Sequence, residues 1–196
     1  MQDRRVILWL LVSLCLGTLA MVIAAPAARA TDLPEAALWQ ALRDRTAFAI
    51  MRHALAPGGG DPPGHRIGDC STQRNLSPDG RAQARTIGDR FRAAGISNAR
   101  VLSSQWCRCR DTATELRLGT VEDLPALNSF FGKSDRGPGQ TKALRDWLAS
   151  APMDKPLVLV THQVNISALT RETTSSGEIV VVRRQPDGAM QVLGSL

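Results

Sequence analysis

Two histidine residues and two arginine residues of this chain stand where they could act together on a phosphate group. Arg52 and His53 are adjacent, Arg108 follows a serine pair that ends at Ser104, and His162 follows an apolar run. An arginine side chain forms charge-assisted, two-pronged hydrogen bonds to phosphate oxygens and stays charged at any working pH. A neutral imidazole is a nucleophile, and nearby positive charge keeps it neutral by lowering its pKa. This set of side chains therefore suits phosphoryl transfer through a phosphohistidine without a metal ion.

Three short apolar runs precede these polar residues and predict buried strands. The runs are 46–51, 99–103 and 156–160, and helical patterns stand between them. This alternation indicates an α/β fold, a three-layer sandwich whose helices cover both faces of a mainly parallel central sheet. Ligands of such sheets bind beyond the carboxyl ends of the strands. We therefore expect the polar residues to meet at one edge of a single domain.

Other patterns fill in the rest of this fold. Ser77 followed by Pro78 predicts a helix start, since serine caps a helix and proline suits its first turn. The glycine- and proline-rich run 57–64 predicts a long loop, and such loops are often functional. The patterns also predict helices at 34–45, 106–116 and 141–150, a short strand at 124–127, and a terminal hairpin of 178–182 and 190–193.

The N-terminal segment has the pattern of a secretory signal peptide. Arg4 and Arg5 precede the uncharged apolar run 6–25, and the small residues Ala28 and Ala30 match a cleavage site. We predict a signal peptide at 1–30, a mature domain at 31–196, and a periplasmic or secreted protein without stable membrane insertion. An uncleaved membrane anchor is the alternative, because a bilayer is spanned by about 20 apolar residues.

Three cysteine residues remain in the predicted mature chain: Cys70, Cys107 and Cys109. An oxidising compartment favours a disulfide between two of them. If residues 107 and 109 are helical, they point about 200° apart and cannot easily bond each other. Cys70 is therefore expected to pair with Cys107 or with Cys109. The spacing does not suit a metal site, and we expect no metal and no cofactor.

The charge of the chain gives only a weak indication of its partners. A formal net charge of +6 suits anionic partners such as phosphate esters, acidic polysaccharide or lipid headgroups, but it equally serves solubility. We expect a small phosphorylated substrate, such as a sugar phosphate or an envelope phosphate, and not nucleic acid.

Several segments resemble the histidine phosphatase superfamily, also called phosphoglycerate-mutase-like. The segment Met51-Arg52-His53 resembles its Arg-His signature, and 102–113, with paired serines before an arginine and then Thr-Ala, resembles its second segment. Val160-Thr161-His162 resembles the third, and 76–80 resembles the family's helix opening between the first two. The resemblance covers residues 46–195 in the family's order and implies its phosphoglycerate-mutase-like fold.

The resemblance also implies a role for each residue. His53 would be the nucleophile, with Arg52 and Arg108 binding the phosphoryl oxygens and His162 acting as the second catalytic histidine. We place Ser104, at the predicted helix start, with the substrate-binding residues. The implied activity is that of a metal-independent phosphomonoesterase, and the small exported members include a phosphatase acting on lipopolysaccharide core heptose phosphate.

The chain departs from the family pattern at the general acid. Many members have a glutamate near residue 127, whereas this sequence has Asn128 there, and another branch has an acidic residue where this sequence has Gln163. Asp135 is the first candidate for this acid, and Asp61 and Asp69 are the other loop carboxylates. A non-catalytic phosphate- or polyanion-binding protein on the same fold is therefore the alternative function, and a phosphomutase is a weaker third.

Overall fold

Six strands and five helices form the described part of the chain, residues 32–196 of a computed structural model. The predicted signal peptide at 1–30 lies outside these residues. Within them, no helix combines the length and the apolar character that crossing a membrane requires. The strands are β1 (Phe48–Arg52), β2 (Arg100–Ser103), β3 (Val121–Asp123), β4 (Leu157–Thr161), β5 (Ile179–Arg184) and β6 (Met190–Ser195). The helices are α1 (Glu35–Arg43), α2 (Pro78–Ala93), α3 (Cys107–Leu116), α4 (Gly137–Ser150) and α5 (Gln163–Thr170).

All six strands join one sheet in the order β3-β2-β4-β1-β5-β6. The first four are parallel, and β5 and β6 run antiparallel as the predicted hairpin. Strand β4 lies between β1 and β2, with Thr161 opposite Arg52 and Val160 opposite Ser103. The three strands that precede the polar residues are thus neighbours and end at the same edge of the sheet, which confirms the predicted fold class.

The sheet is buried on both faces because successive side chains of a strand point to opposite sides. Ala49 and Met51 of β1 face one apolar cluster, and Phe48 and Ile50 face the other. Full burial of such a side chain contributes about 1.5–3 kcal/mol. On the first face the cluster includes Leu38 of α1, Phe91 of α2 and Leu116 of α3, and on the second it includes Leu144 of α4 and Ile166 of α5.

Helix α2 begins as the sequence predicts and packs unusually close to its neighbours. The Ser77 hydroxyl accepts a hydrogen bond from the Gly80 amide at 3.0 Å. A β-carbon on Gly80 would lie 2.0 Å from the Leu55 carbonyl oxygen, and one on Gly88 would lie 2.2 Å from that of Leu116. The two glycines therefore let α2 contact both the segment that follows β1 and the end of α3.

One local prediction differs from the structure, and one helix was not predicted. The predicted strand at 124–127 is wrong: Pro125–Leu127 form a turn of 3₁₀ helix, and the strand is β3, just before it. Proline has no amide hydrogen for a sheet and suits the first position of a helical turn. Helix α5 was not predicted, because it is short and most of its stability comes from burial of Ile166 and Leu169.

Candidate active site

A cavity of about 590 Å³ opens at the carboxyl edge of the sheet. Four of the residues predicted to act together line it: Arg52, His53, Arg108 and His162. The structure therefore brings together side chains that three separate strands deliver. The loop 57–69 and the segment 129–136 form other parts of the wall, contributing among others Asp61, His65, Ile67, Ser129, Phe131, Lys133 and Arg136.

The ring of His53 is held in one orientation directly after β1. Its side chain is only 2% exposed, and its Nδ1 atom lies 2.8 Å from the Ala54 carbonyl oxygen. Because a carbonyl oxygen can only accept, Nδ1 carries the hydrogen and donates it. The lone pair of the neutral ring is then on Nε2, which has no hydrogen-bond partner among residues 32–196. His53 thus presents an unprotonated nitrogen within the cavity wall.

The surroundings of His53 keep its ring neutral. Burial, the largest cause, lowers the pKa of His53 to about 3. The hydrogen bond to Ala54 opposes this, while the charges of Arg108, Arg74 and Arg52 lower the pKa further. At neutral pH the side chain is therefore an unprotonated imidazole, the form in which histidine is a nucleophile.

His162 lies beside His53, with 5.6 Å between the two ring centroids. Its Nδ1 atom lies 3.3 Å from Arg108 Nη2, which can only donate, and its Nε2 atom lies 2.9 Å from the hydroxyl of Ser104. The ring therefore accepts at Nδ1 and donates from Nε2. Burial and then the charge of Arg108 hold the pKa of His162 well below its ordinary value, so this ring is also neutral.

Arg108 is held by Asp61, one of the two loop carboxylates that the sequence analysis placed behind Asp135. Its Nη1 and Nη2 atoms donate to the two carboxylate oxygens of Asp61 at 2.7 and 3.1 Å. Asp61 also accepts from the Arg74 amide at 3.0 Å and from the Trp106 indole at 3.0 Å. Burial alone would raise the pKa of Asp61, but Arg108 and the other donors hold it below its ordinary range. Asp61 is therefore an ionised partner of Arg108.

A third arginine at the site, Arg74, was not singled out by the sequence. It lines the cavity and donates to the carbonyl oxygens of Ala56 and Gly58. It lies in a loop, where no regular spacing marks a residue as part of a site. The one sequence feature that could have drawn attention to it is its place just before 76–80, the segment that resembles the family's helix opening. The Nε atoms of Arg52, Arg74 and Arg108 are all buried and have no hydrogen-bond partner among the described residues. Each of these three Nε donors thus lacks a protein partner in an arginine side chain that lines the cavity.

Two predicted site residues do not line the cavity. Ser104 is fully buried, and its hydroxyl contacts His162 instead of facing the open space. Asp135 is exposed in a turn of 3₁₀ helix, Ser134–Arg136, and the residues of this segment that line the cavity are its neighbours Lys133 and Arg136. No contact connects Asp135 with the histidines, so its role as the general acid stays a prediction without structural support.

The residues at the family's two acid positions are also engaged elsewhere. The side-chain oxygen of Asn128 accepts a hydrogen bond from the Gln105 backbone amide at 2.9 Å. The next residue, Ser129, lines the cavity, whereas Asn128 does not. The side-chain oxygen of Gln163 accepts from the Thr174 amide at 2.8 Å. Asp61 is accordingly the single carboxylate in the cavity wall formed by the described residues.

One disulfide connects the loop of the cavity wall to α3. Cys70 is bonded to Cys107, which directly precedes Arg108, and Cys109 remains a buried thiol. This resolves the choice that the sequence left open. Burial raises the pKa of the Cys109 thiol to about 12, and its sulfur lies 3.4 Å from Nε2 of His162 as a packing contact. No cluster of three or more His, Cys, Asp or Glu side chains suited to a metal ion is found within residues 32–196.

Comparison with known proteins agrees with the geometry. Residues 48–132 match the family model of the histidine phosphatase superfamily, branch 1, a stretch that contains Arg52, His53 and Arg108. No curated protein matches the chain in a sequence search.

Solved structures share the fold at low sequence identity. The protein histidine phosphatase SixA in complex with tungstate is 17% identical, with a TM-score of 0.53, covering 76% of this chain and 96% of its own. A mycobacterial glucosyl-3-phosphoglycerate phosphatase is 16% identical, with a TM-score of 0.52 and coverage of 77% and 96%. A phosphoserine phosphatase from Entamoeba histolytica is 13% identical, with a TM-score of 0.57 and coverage of 76% and 95%.

The fold and the family match over part of the chain agree with each other. The architecture is phosphoglycerate-mutase-like, and the match over β1 to the segment after β3 supports placement in the histidine phosphatase superfamily.

Proposed function

We propose that this protein is a metal-independent phosphomonoesterase that acts through a phosphohistidine at His53 on an extracytoplasmic phosphate ester. The observation that carries the proposal is the orientation of His53. Its Nδ1 hydrogen is bound to the Ala54 carbonyl oxygen at 2.8 Å, so its Nε2 lone pair is available beside three arginine side chains.

In the first step, Nε2 of His53 attacks the phosphorus atom of the substrate. A bond forms between nitrogen and phosphorus as the bond from phosphorus to the leaving-group oxygen breaks, and the leaving group takes the electron pair. The imidazole then carries a positive charge, which the hydrogen bond from Nδ1 to the Ala54 carbonyl stabilises. In the second step, the oxygen of a water molecule bonds to phosphorus as the bond between phosphorus and Nε2 breaks, and the electron pair of that bond returns to Nε2. Inorganic phosphate is released, neutral His53 is restored, and the proton that the water gives up balances the one that the leaving-group oxygen takes from solvent.

The arginine side chains supply the charge that the phosphoryl group requires. Arg52 and Arg108 were proposed as ligands from the sequence, and the position of Arg74 supports adding it to them. Their buried, unpartnered Nε atoms are donors that phosphoryl oxygens would satisfy. His162, positioned by Ser104 and Arg108, would donate to the same oxygens once a dianion raises its pKa.

One observation favours a second candidate function, a non-catalytic phosphate- or polyanion-binding protein. Asp61 is the one carboxylate in the described cavity wall, and it is bound in ionised form to Arg108. No free carboxylic acid among the described wall residues can protonate the leaving group, and loss of such a donor typically costs about 10²–10⁴ in rate. A site of this kind could bind phosphate without turning it over.

The substrate and the compartment are proposals as well. The structural relatives are named for different substrates, a protein phosphohistidine, glucosyl-3-phosphoglycerate and phosphoserine, so the shared fold does not select one. The predicted signal peptide supports a periplasmic or secreted location. A sugar phosphate or another phosphate of the cell envelope is the substrate class that this location favours.

The test is hydrolysis of para-nitrophenyl phosphate by the purified protein and by His53→Ala. We expect wild-type turnover that is insensitive to chelators and a loss of at least about 10³-fold in His53→Ala. Brief mixing with substrate and acid quenching should trap an acid-labile phosphoryl group on the wild type alone. Lys155→Ala, an exposed change before β4 at the opposite edge of the sheet, is the matched control. Tight vanadate binding without any His53-dependent turnover would favour the second candidate.

A further inference from the structure

We infer that the substrate carries a second anionic group on its leaving-group side, and that Lys133 and Arg136 bind this group at the outer wall of the cavity. The inference rests on the proposed function for the phosphoryl end of the substrate. The outer wall is defined here as Ile67, Phe131, Lys133 and Arg136, all of which line the cavity.

The cavity has room for a substrate much larger than phosphate. Its volume of about 590 Å³ lies within the range of roughly 300–1,000 Å³ that is typical of sites for whole small molecules. A phosphoryl group held by His53 and Arg108 occupies only the inner end. The leaving group must then extend along the outer wall.

The charge of the outer wall is positive and not neutralised. Lys133 and Arg136 are exposed, and neither side chain forms an ion pair or a hydrogen bond with any residue of 32–196. Asp135 stands between them in sequence but does not line the cavity, and Asp61 is already bound by Arg108. Two cations therefore face the cavity without a carboxylate of their own, which suits an anionic ligand.

The apolar side chains of the outer wall point to a ring beside that anionic group. Phe131 is 68% exposed and Ile67 is 48% exposed, two of the four large apolar side chains that the described chain leaves exposed. A β-carbon on Gly60 would lie 3.5 Å from the Phe131 ring, so Phe131 packs next to the residue that precedes Asp61. The exposed ring of Phe131 thus contacts Gly60, which is the neighbour in sequence of Asp61, the partner of Arg108. A sugar or aromatic ring that joins the two anionic groups would cover it.

The test is a set of three ring-matched probes: para-carbamoylphenyl, para-carboxyphenyl and para-phosphonophenyl phosphate. Their binding is measured by calorimetry on His53→Ala, which cannot consume them. Since one exposed ion pair is worth up to about fivefold in affinity, we expect at least one anionic probe to bind about fivefold tighter than the neutral carbamoyl probe. The carboxy and phosphono probes distinguish a carboxylate from a second phosphate.

The ratio of the affinity for the anionic probe to the affinity for the neutral probe should fall to about one in the triple variant His53→Ala/Lys133→Ala/Arg136→Ala. The same ratio should stay at about fivefold in the control His53→Ala/Lys155→Ala. Equal affinity of the three probes, or a preference that survives loss of Lys133 and Arg136, would overturn the inference. Failure of the proposed function is seen separately, as absence of His53-dependent turnover of para-nitrophenyl phosphate by the otherwise unchanged protein.

Discussion

Asp61 and Arg108 face each other across the cavity wall as a buried, two-pronged ion pair, with side chains only 7% and 4% exposed. Both Asp61 oxygens and both terminal nitrogens of Arg108 take part, at 2.7 and 3.1 Å. A phosphoryl group would offer Arg108 the same pair of acceptor oxygens. The carboxylate thus holds the guanidinium in place and also competes for the donors that a substrate needs.

We predict that Asp61→Asn lowers the stability of the ligand-free protein and raises its affinity for phosphate. Removing one partner of a buried pair leaves an uncompensated charge and costs roughly 3–5 kcal/mol, so the melting temperature should fall. Inorganic phosphate should then restore more stability to the variant than to the wild type. Thermal melts of both proteins across a phosphate titration provide the measurement, and equal phosphate-induced shifts would contradict the competition.

The absence of a free carboxylic acid in the described cavity wall predicts a strong dependence on the leaving group. Phenyl esters with acidic leaving groups should be hydrolysed about 10²–10⁴ times faster than an alkyl phosphate, because the alkoxide must leave without a proton. Values of kcat/KM for a series of substituted phenyl phosphates and glycerol phosphate measure this dependence. A flat series would mean that a side chain such as Asp61 leaves Arg108 and acts as the acid, and Asp61→Asn would then slow the alkyl ester alone.

The neutral histidines predict that stability falls in mild acid. The pKa of His53 is lowered to about 3 and that of His162 lies well below its ordinary value, so the unfolded chain binds more protons than the folded one. Stability is then complete above the unfolded pKa of about 6.5 and is lost as the pH falls towards the folded values. His53 alone should lower the free energy of unfolding by about 2 kcal/mol between about pH 7 and pH 5, and His162 should lower it further in the same direction.

Urea denaturation in phosphate-free buffer at several pH values measures this loss. His53→Gln should remove the part of the pH dependence that His53 contributes, about 2 kcal/mol over this pH range, and leave the part due to His162. An unchanged free energy of unfolding over the same pH range would show that the rings are protonated in the folded protein.

The disulfide predicts a redox-dependent activity. Cys70 and Cys107 are 37 residues apart, and closing a loop of that length contributes about 4 kcal/mol through the entropy of the unfolded chain. Because Arg108 follows Cys107 directly, reduction should lower both the melting temperature and kcat/KM. Dithiothreitol treatment provides the measurement. In Cys70→Ala, where the bond is already absent, the same treatment should have no further effect.

The sequence predicted the elements that depend on regular patterns and missed those that depend on loop geometry. The positions of His53 and His162 follow from apolar strands that end in polar residues, and a parallel sheet brings such ends together. Which of Asp61 and Asp135 lines the cavity depends on how the glycine-rich loop folds back over the sheet edge, and the spacing of residues in the sequence does not determine this. Arg74 was missed for the same reason, since no period relates a loop residue to the strands.

The disulfide partner of Cys70 could be narrowed from the sequence to two cysteines but not to one. The angle between residues 107 and 109 on a helix excludes a bond between them but does not say which one faces Cys70. That choice depends on the rotation of α3 about its axis. Burial of Cys109 beneath His162 fixes this rotation and leaves Cys107, which is also buried, facing Cys70.

Strand β4 pairs with both β1 and β2 and itself leads into His162. The pairing register of β4 with both neighbours therefore sets the distances among the three groups of candidate site residues that follow these strands. Deleting one residue from β4 would turn its buried side chains to the opposite face and shift His162 against both neighbours at once. The loops around the cavity carry no such constraint. Variation among proteins of this architecture should accordingly concentrate in the loops that meet the leaving group, while the lengths of these three strands stay constant.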